Sequence, residues 1–224
     1  DEDRLFKMFC EIVDRTAKLI AHWQAIGFNH GVMNTDNMSI AGLTIDYGPY
    51  AMLDDFNYSY VCNNKDRVGR YSYAEQPNIS YWNLTMLAKA LSPIIDEKRM
   101  QKKLDDFGDF LYPNTYIDLM RKKLGLEREL DEDIELIKEL VGTLQDIFVD
   151  HTLFYRTLSR YVGDRSPMYD IAMEPVILDG WLQLYDDRLS KETRSVQERQ
   201  KEMLKTNPKY ILKNFNACIK SLST

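Results

Sequence analysis

Apolar residues recur at intervals of three and four positions between residues 5 and 28. This spacing places them on one face of a helix. The residues on this face are Leu5, Phe9, Ile12, Leu19, Trp23 and Ile26. Gly27 follows the last of them, and glycine commonly ends a helix. The pattern therefore predicts a long amphipathic helix over residues 5–28.

The helical period returns near residue 80 and continues through most of the remaining chain. Ser80 is a candidate N-cap for a helix over residues 82–91, which Pro93 closes. Further helices are predicted over residues 97–111, 115–124, 132–149, 176–189 and 196–205. The core face of the third of these is predicted to carry Ile134, Ile137, Val141, Leu144 and Phe148. Breaks are expected at Pro113, Gly125, Gly163 with Pro167, and Pro208.

The chain between these helical parts is more polar and lacks the helical period. Residues 30–37 predict a loop, and residues 38–45 and 50–53 predict two short strands around a bend at Gly48 and Pro49. Residues 54–79 combine turn formers with aromatic residues, which indicates an ordered but irregular segment. The predicted fold class is mainly α, or α+β, with one short β-hairpin.

Composition and charge exclude several classes of function. The 224 residues carry 29 Lys and Arg against 35 Asp and Glu, a formal charge of −6, so nucleic acid is not an expected partner. No stretch is long and apolar enough to predict a membrane span. The three cysteines have no CxxC spacing, so neither a disulfide framework nor a zinc site is indicated, and a reducing compartment is expected.

Asn37 and Asp46 are candidate ligands for a divalent cation, because Mg²⁺ is held by few protein oxygens together with nucleotide phosphates. Protein kinases place such an Asn five residues after the Asp of His-Arg-Asp, and a second ligand later in Asp-Phe-Gly. Here residues 30–32 read His-Gly-Val and residues 46–48 read Asp-Tyr-Gly. Val32 stands at the position of the usual base and cannot accept a proton, so Asp36 is the remaining candidate acceptor.

Longer motifs surround these positions. Residues 30–40 read HGVMNTDNMSI, residues 42–49 read GLTIDYGP, and GRYS, QP and WNL follow at 69–72, 76–77 and 82–84. A looser match continues to NPKY at residues 207–210. Together they closely resemble the selenoprotein O family. The resemblance implies a kinase-like fold that transfers AMP from ATP to protein hydroxyls, with ATP bound in the reverse of the usual kinase orientation.

The resemblance also implies roles for single residues. Asp36 would accept the proton, Asn37 would bind Mg²⁺ or Mn²⁺, and Asp46 would bind the same ion and face the nucleotide. The implied partners are ATP and proteins bearing Ser, Thr or Tyr hydroxyls. Residues 1–95 would form the segment of a protein-kinase-like C-lobe that carries the catalytic loop, and residues 96–224 a helical extension of that lobe. We expect a cytoplasmic protein in a bacterium, or a mitochondrial one in a eukaryote.

The chain departs from the family pattern at both ends. It begins Asp-Glu-Asp, without Met, and lacks the family's upstream nucleotide-binding lobe, so we expect these residues alone to be inactive. The family's redox-active residue near the C-terminus is not evident. Cys62 resembles the cysteine that pairs with it, and whether Cys218 replaces the partner stays open. Cys62 could equally be a small apolar side chain.

Other readings remain open beside these. Asn37 and Asp46 could be turn residues, and His30 is expected to hold the loop by hydrogen bonds. Arg67 and Arg70 could contact phosphate or substrate, or be solvated. At the level of the whole protein, the loss of the base at Val32 favours a catalytically dead pseudokinase scaffold. A third hypothesis is an ordinary kinase that transfers the γ-phosphoryl group.

Overall fold

The computed structural model describes residues 2–213, and its longest helix is the first, as the apolar spacing predicts. Helix α1 spans Glu2–Ile26, and Gly27 follows it in a left-handed conformation with φ of 75°. The later helices are α2 (Gln76–Leu91), α3 (Glu97–Asp106), α4 (Tyr112–Leu124), α5 (Asp133–Ile147), α6 (His151–Leu158), α7 (Ser166–Tyr169), α8 (Pro175–Leu189) and α9 (Val196–Thr206). A single 3₁₀ turn, Thr35–Asn37, lies between the two strands of the described part. Every described helix is too short or too polar to cross a lipid bilayer.

Strands β1 (Phe28–Asn29) and β2 (Ala51–Met52) form a two-stranded antiparallel sheet. The prediction of a mainly helical chain is therefore confirmed, whereas the small sheet pairs β2 with β1 and is not the predicted hairpin of residues 38–45 and 50–53. The prediction of a strand over residues 50–53 is confirmed in β2.

The chain divides into two compact units. The first comprises Asp1–Ala51 and Ser59–Tyr116, and the second comprises Met52–Tyr58 and Ile117–Thr224. The core of the first unit joins α1, α2 and α3. It contains Phe9, Ile12, Val13, Ala17, Leu84, Ala88, Ile95, Met100, Leu104 and Phe107. Burying each large apolar side chain of this set contributes about 1.5–3 kcal/mol. Helix α1 also packs against β1.

The core of the second unit is built on the packing of α5 against α8. Trp181 and Tyr185 are buried on α8 and stack with ring centroids 5.0 Å apart. Their polar atoms are satisfied, because Trp181 Nε1 donates to the Leu136 carbonyl and the Tyr185 hydroxyl donates to the Leu124 carbonyl. Buried aromatic residues with a satisfied polar atom are strongly stabilising.

Residues 38–45 do not form the predicted strand. Gly42 adopts φ of 68° and its N–H donates to the Ser39 carbonyl at 3.0 Å, which closes a turn. The extended residues that follow bind side chains, since Thr44 Oγ1 accepts the Trp23 indole N–H and the Ile45 carbonyl binds the His30 ring. β2 pairs with β1 instead. The strand prediction was wrong because the turn at Gly42, in a left-handed conformation, interrupts the extended path that a strand over residues 38–45 requires.

Two predicted helix boundaries were also wrong. Ser80 is not an N-cap: helix α2 begins at Gln76, and Ser80 Oγ donates to the Gln76 carbonyl within the helix. Pro77 lies in the first turn, where its missing N–H costs nothing. Pro113 does not end a helix, because a π-helical turn over Phe107–Leu111 connects α3 to α4. This wider turn accommodates the proline.

The predicted core face of α5 was correct only in part. Ile134 and Phe148 are 53% and 55% exposed, whereas Leu136, Leu140 and Ile147 are buried. Phe148 lies beyond the end of the helix in a left-handed conformation, φ 48°, so it leaves the helical face. Helix α6 was not predicted. Asp150 caps it, with Oδ1 accepting the Leu153 N–H at 2.7 Å.

Candidate active site

Gln76 holds the backbone of the loop that follows β1. Its side chain is fully buried in the first turn of α2. Oε1 accepts the His30 N–H at 2.9 Å, and Nε2 donates to the Phe28 carbonyl at 2.9 Å. One side chain thus satisfies backbone groups on both sides of Asn29, and buried backbone groups of this kind require such partners.

Three asparagines bind the next carbonyls of the same loop. The amide nitrogens of Asn63, Asn37 and Asn83 donate to the carbonyl oxygens of residues 31, 32 and 33, at 3.1, 3.1 and 2.9 Å. Because the loop cannot form a ladder with another strand here, side-chain amides replace the missing backbone partners. The loop conformation therefore depends on residues up to 50 positions away.

His30 connects this loop to the segment before Asp46. The ring is buried; its Nε2 donates to the Ile45 carbonyl at 2.8 Å, and its Nδ1 accepts the Val32 N–H at 3.4 Å. Trp23 packs beside the ring, with centroids 5.3 Å apart. His30 thus makes the loop-holding hydrogen bonds that the sequence analysis expects.

Asp36 and Asn37 lie in the 3₁₀ turn at the end of the loop. The Asn37 N–H donates to the Asn34 carbonyl at 3.0 Å, which closes the turn. Because Asn37 Nδ2 is bonded to the Val32 carbonyl, its Oδ1 is the amide atom that remains to bind a cation. Asp36 is exposed, and within residues 2–213 its carboxylate forms no ion pair. Both side chains present oxygen atoms suited to a hard divalent cation or to a proton.

Asp46 adopts a left-handed conformation, φ 53°, in an exposed turn. Aspartate is one of the few residues besides glycine that tolerate this region. The Gly48 N–H donates to the Asp46 carbonyl at 2.7 Å, so the Asp-Tyr-Gly triplet forms a tight turn. Tyr47 packs edge-on against Phe28 and Tyr50, at 6.2 and 5.5 Å between centroids.

A path of three hydrogen bonds links the two candidate cation ligands. It runs from the Asn37 amide to Val32, from Val32 to the His30 ring, and from that ring to Ile45, the residue before Asp46. In the described part of the chain, no three or more His, Cys, Asp or Glu side chains are placed so that they could hold a metal ion together. A cation bound here would therefore need further ligands from a nucleotide or water, which is usual for Mg²⁺.

Comparison with known proteins assigns this loop to a family. The family model described as "Protein adenylyltransferase SelO" matches residues 1–223. The chain belongs to the SelO family. It is 46% identical over 211 residues to "Protein nucleotidyltransferase YdiU" of Aliivibrio salmonicida, covering 94% of the chain and 43% of that protein. The protein of the same name from Myxococcus xanthus is 43% identical over 220 residues, covering 96% and 45%.

A third SelO-family relative, also named "Protein nucleotidyltransferase YdiU", comes from Pseudomonas aeruginosa. It is 43% identical over 212 residues, which cover 94% of the chain and 43% of that protein. The chain thus spans less than half the length of these curated relatives. Their names describe nucleotidyl transfer by the relatives, and the roles of Asp36, Asn37 and Asp46 in this SelO-family chain stay predictions.

Cys62 packs directly against the SelO-family loop. Its N–H donates to Asn29 Oδ1 at 3.2 Å, and its thiol lies 3.6 Å from the Asn29 carbonyl oxygen. Gly31 adopts φ of 79°, and a Cβ added there would collide with Cys62 Sγ. Burial raises the pKa of the Cys62 thiol to about 11, so the thiol is protonated near neutral pH. Cys218 lies outside the described residues.

The residues that hold this loop were not predicted from the sequence. Gln76 and Asn83 lie in the QP and WNL motifs, which contributed to the resemblance without a physical role, and Asn63 was not singled out. A signal was present, because an amide at the start or on the core face of an apolar helix requires a buried hydrogen-bond partner. The identity of that partner depends on the tertiary structure.

Proposed function

We propose that this chain carries the catalytic loop and cation ligands of a protein adenylyltransferase with a protein-kinase-like C-lobe. The reaction is the transfer of AMP from ATP to Ser, Thr or Tyr hydroxyls of proteins. The hydrogen-bonded path from Asn37 through His30 to Ile45 is the observation that most supports it. Membership of the SelO family, whose curated relatives are named nucleotidyltransferases, gives independent support. Because the chain spans less than half of those relatives, the proposal concerns the whole protein.

The cation in this proposal is Mg²⁺ or Mn²⁺, held by Asn37 and Asp46. The residues fit it, since Asn37 Oδ1 and the Asp46 carboxylate are the hard oxygen donors that these ions prefer. A bound cation would neutralise charge on the nucleotide phosphates. Asp46 lies in an exposed turn, where its carboxylate can meet a nucleotide as well as the ion.

Asp36 accepts the proton of the incoming hydroxyl in this proposal. As the hydroxyl oxygen bonds to the α-phosphorus, the bond from that phosphorus to the bridging oxygen breaks and pyrophosphate leaves. The hydroxyl proton moves to the Asp36 carboxylate. The exposed position of Asp36 and its lack of an ion-pair partner among residues 2–213 suit this role, because a carboxylate already bound to a cation is a weaker base.

The experiment uses a protein of the relatives' full length that contains this chain, a protein substrate, and ATP labelled at either the α- or the γ-phosphate. We expect label from the α-phosphate alone, reduced at least about 100-fold by Asp36→Asn and by Asp46→Ala. Asp109→Asn is the matched control, because Asp109 is an exposed carboxylate in the same compact unit and should leave transfer unchanged.

The outcomes separate the proposal from its alternatives. Transfer of the γ-label would indicate an ordinary kinase and overturn the proposal. Cation-dependent nucleotide binding without transfer to any protein would indicate the pseudokinase scaffold, which the valine at position 32 favours. Undiminished transfer by Asp46→Ala would remove this residue from the mechanism.

A further inference from the structure

Arg70 lies on a partly exposed aromatic surface next to the candidate catalytic loop. Its guanidinium carbon is 4.9 Å from the centroid of the Trp82 ring and 5.7 Å from that of Tyr71. Trp82 is 42% exposed on α2, and Arg70 is also exposed. We call Arg70, Tyr71 and Trp82 the Arg70 platform. The two rings orient the guanidinium through cation–π contacts while leaving its N–H groups to solvent.

The carboxylate closest in sequence to Arg70 is already used by the backbone. Asp66 Oδ1 accepts the Arg70 N–H at 3.0 Å, and Oδ2 accepts the Tyr71 N–H at 2.7 Å. Within residues 2–213 no ion pair involves the side chains of Lys65, Arg67 or Arg70. The Arg70 guanidinium is therefore a cation without an ion-pair partner among the described residues, on a chain whose formal charge is −6.

A short hydrogen bond attaches the platform to the catalytic loop. The Tyr71 hydroxyl donates to Asn34 Oδ1 at 2.5 Å, and the Tyr71 carbonyl accepts a bond from Asn29 Nδ2 at 3.0 Å. Asn34 precedes Asp36 by two residues. The covalent and hydrogen-bonded path thus limits the separation of Arg70 and Asp36 to roughly 20 Å, which an extended peptide spans in about six residues.

We propose that the Arg70 platform binds a carboxylate side chain of the protein substrate, within about six residues of the acceptor hydroxyl. This inference rests on the proposed function, because it names the substrate class of the same site. A carboxylate matches the planar fork of the guanidinium in two parallel hydrogen bonds. The exposed ring of Trp82 packs against the peptide chain beside it. The platform therefore selects hydroxyl residues in acidic sequence context.

Trp82 provides a direct reporter of binding to the 224-residue chain. The other two tryptophans, Trp23 and Trp181, are only 4% and 2% exposed, so a fluorescence change on adding peptide reports mainly on Trp82. The probes are a serine peptide flanked by aspartates within six residues and the same peptide with asparagines. We expect the aspartate peptide to bind at least about fivefold more tightly, and the difference to shrink at high salt.

Substitutions at Arg70 test the contact itself. Arg70→Ala should remove the fivefold preference, and Arg70→Glu should transfer it to a lysine-flanked peptide. Arg67→Ala is the matched control: it removes an equal charge three residues away, outside the platform, and should weaken binding less than twofold. Equal losses of peptide affinity in Arg67→Ala and Arg70→Ala would show that the preference comes from the overall positive charge of this segment and not from the platform, which would overturn the proposal.

Two further arms test a different ligand and the connection to AMP transfer. Displacement of the aspartate peptide by equimolar inorganic phosphate would make the platform a phosphate site and overturn the proposal. In the full-length protein, transfer of AMP at equal rates to both peptides would refute the acidic preference while the proposed function stands. Peptide preference without any AMP transfer would leave the platform as a peptide-binding surface and refute the proposed function.

Discussion

Replacing Gln76 should destabilise the candidate catalytic loop, and the loss in the free energy of unfolding can be worked out from its two hydrogen bonds. The fully buried side chain satisfies the His30 N–H and the Phe28 carbonyl, both at 2.9 Å. Gln76→Ala leaves both backbone groups buried without these partners, and each such group costs about 1–3 kcal/mol. We therefore expect Gln76→Ala to lower the free energy of unfolding by about 2–6 kcal/mol, with the low end applying where a water molecule enters the vacated space.

Urea unfolding followed by circular dichroism measures this loss, and amide hydrogen exchange locates it. Exchange of the His30 amide should accelerate in Gln76→Ala, because its hydrogen-bond acceptor is gone. Gln101→Ala is the matched control: Gln101 is an exposed glutamine on α3 that bonds Asp105, and its loss should change stability by less than about 0.5 kcal/mol.

A second substitution tests the direction of each hydrogen bond. Gln76→Glu keeps an acceptor for the His30 N–H but removes the donor to the Phe28 carbonyl and buries a carboxylate. Burial raises the pKa of such a carboxyl, so this variant should be less stable at pH 7 than at pH 5, opposite to the usual acid sensitivity. A loss below about 1 kcal/mol in Gln76→Ala, with unchanged His30 exchange, would refute the anchoring role of Gln76.

Three other predictions follow from single contacts. Gly31→Ala should lower the free energy of unfolding in urea by at least about 2 kcal/mol, because the new Cβ collides with Cys62 Sγ and because alanine is strained at this positive φ. Adding Cys62→Ala should restore only the part of the loss that the collision causes. Asp133→Asn should lower the free energy of unfolding by about 1–3 kcal/mol at pH 7, because it removes the 2.6 Å ion pair with buried Arg188, which keeps only Glu192 as a close buried carboxylate partner. Burial acts to raise the pKa of Asp133, but hydrogen bonds, of which the one from Arg188 has the largest effect, hold this pKa below its usual range. The stabilisation by the ionised Asp133 should therefore persist above pH 4 and be lost in stronger acid. Burial lowers the pKa of Lys123 to about 7, so the free energy of unfolding of the wild type should rise between pH 7 and pH 10.5. Lys123→Met should flatten that rise and increase the free energy of unfolding by about 1 kcal/mol or more at pH 7. An unchanged pH dependence in this variant would contradict the burial of the amine.

The predictions of helices succeeded where the pattern was long and repeated. Helices α1, α8 and α9 begin and end within three residues of the predicted bounds, because local spacing and the glycines or prolines between elements decide them. The boundaries that failed depend on less local effects. Pro77 in a first turn and a π-helical turn before Pro113 allow helices to extend where proline alone predicts an interruption.

The motifs at residues 30–40 and 42–49 indicated Asp36, Asn37 and Asp46 as candidate site residues, and their roles stay predictions. Both motifs form loops in the first unit, but the sequence did not indicate which residues hold those loops. The strand expected over residues 38–45 is absent from the structure. Thr44 and Ile45 instead bind the side chains of Trp23 and His30, and no local pattern encodes a hydrogen bond between residues 15 or more positions apart.

The sequence by itself determined the helical character of this protein, its family and the chemical types of its candidate site residues. These properties depend on residue identity and on spacing over a few turns. Only the tertiary structure decided that buried amides hold the loop, that Asp46 takes a left-handed conformation and that Arg70 rests on the half-buried ring of Tyr71 and the exposed ring of Trp82. The physical reason is that buried polar groups must be satisfied by whichever partners the folded chain brings close, and those partners lie far away in sequence.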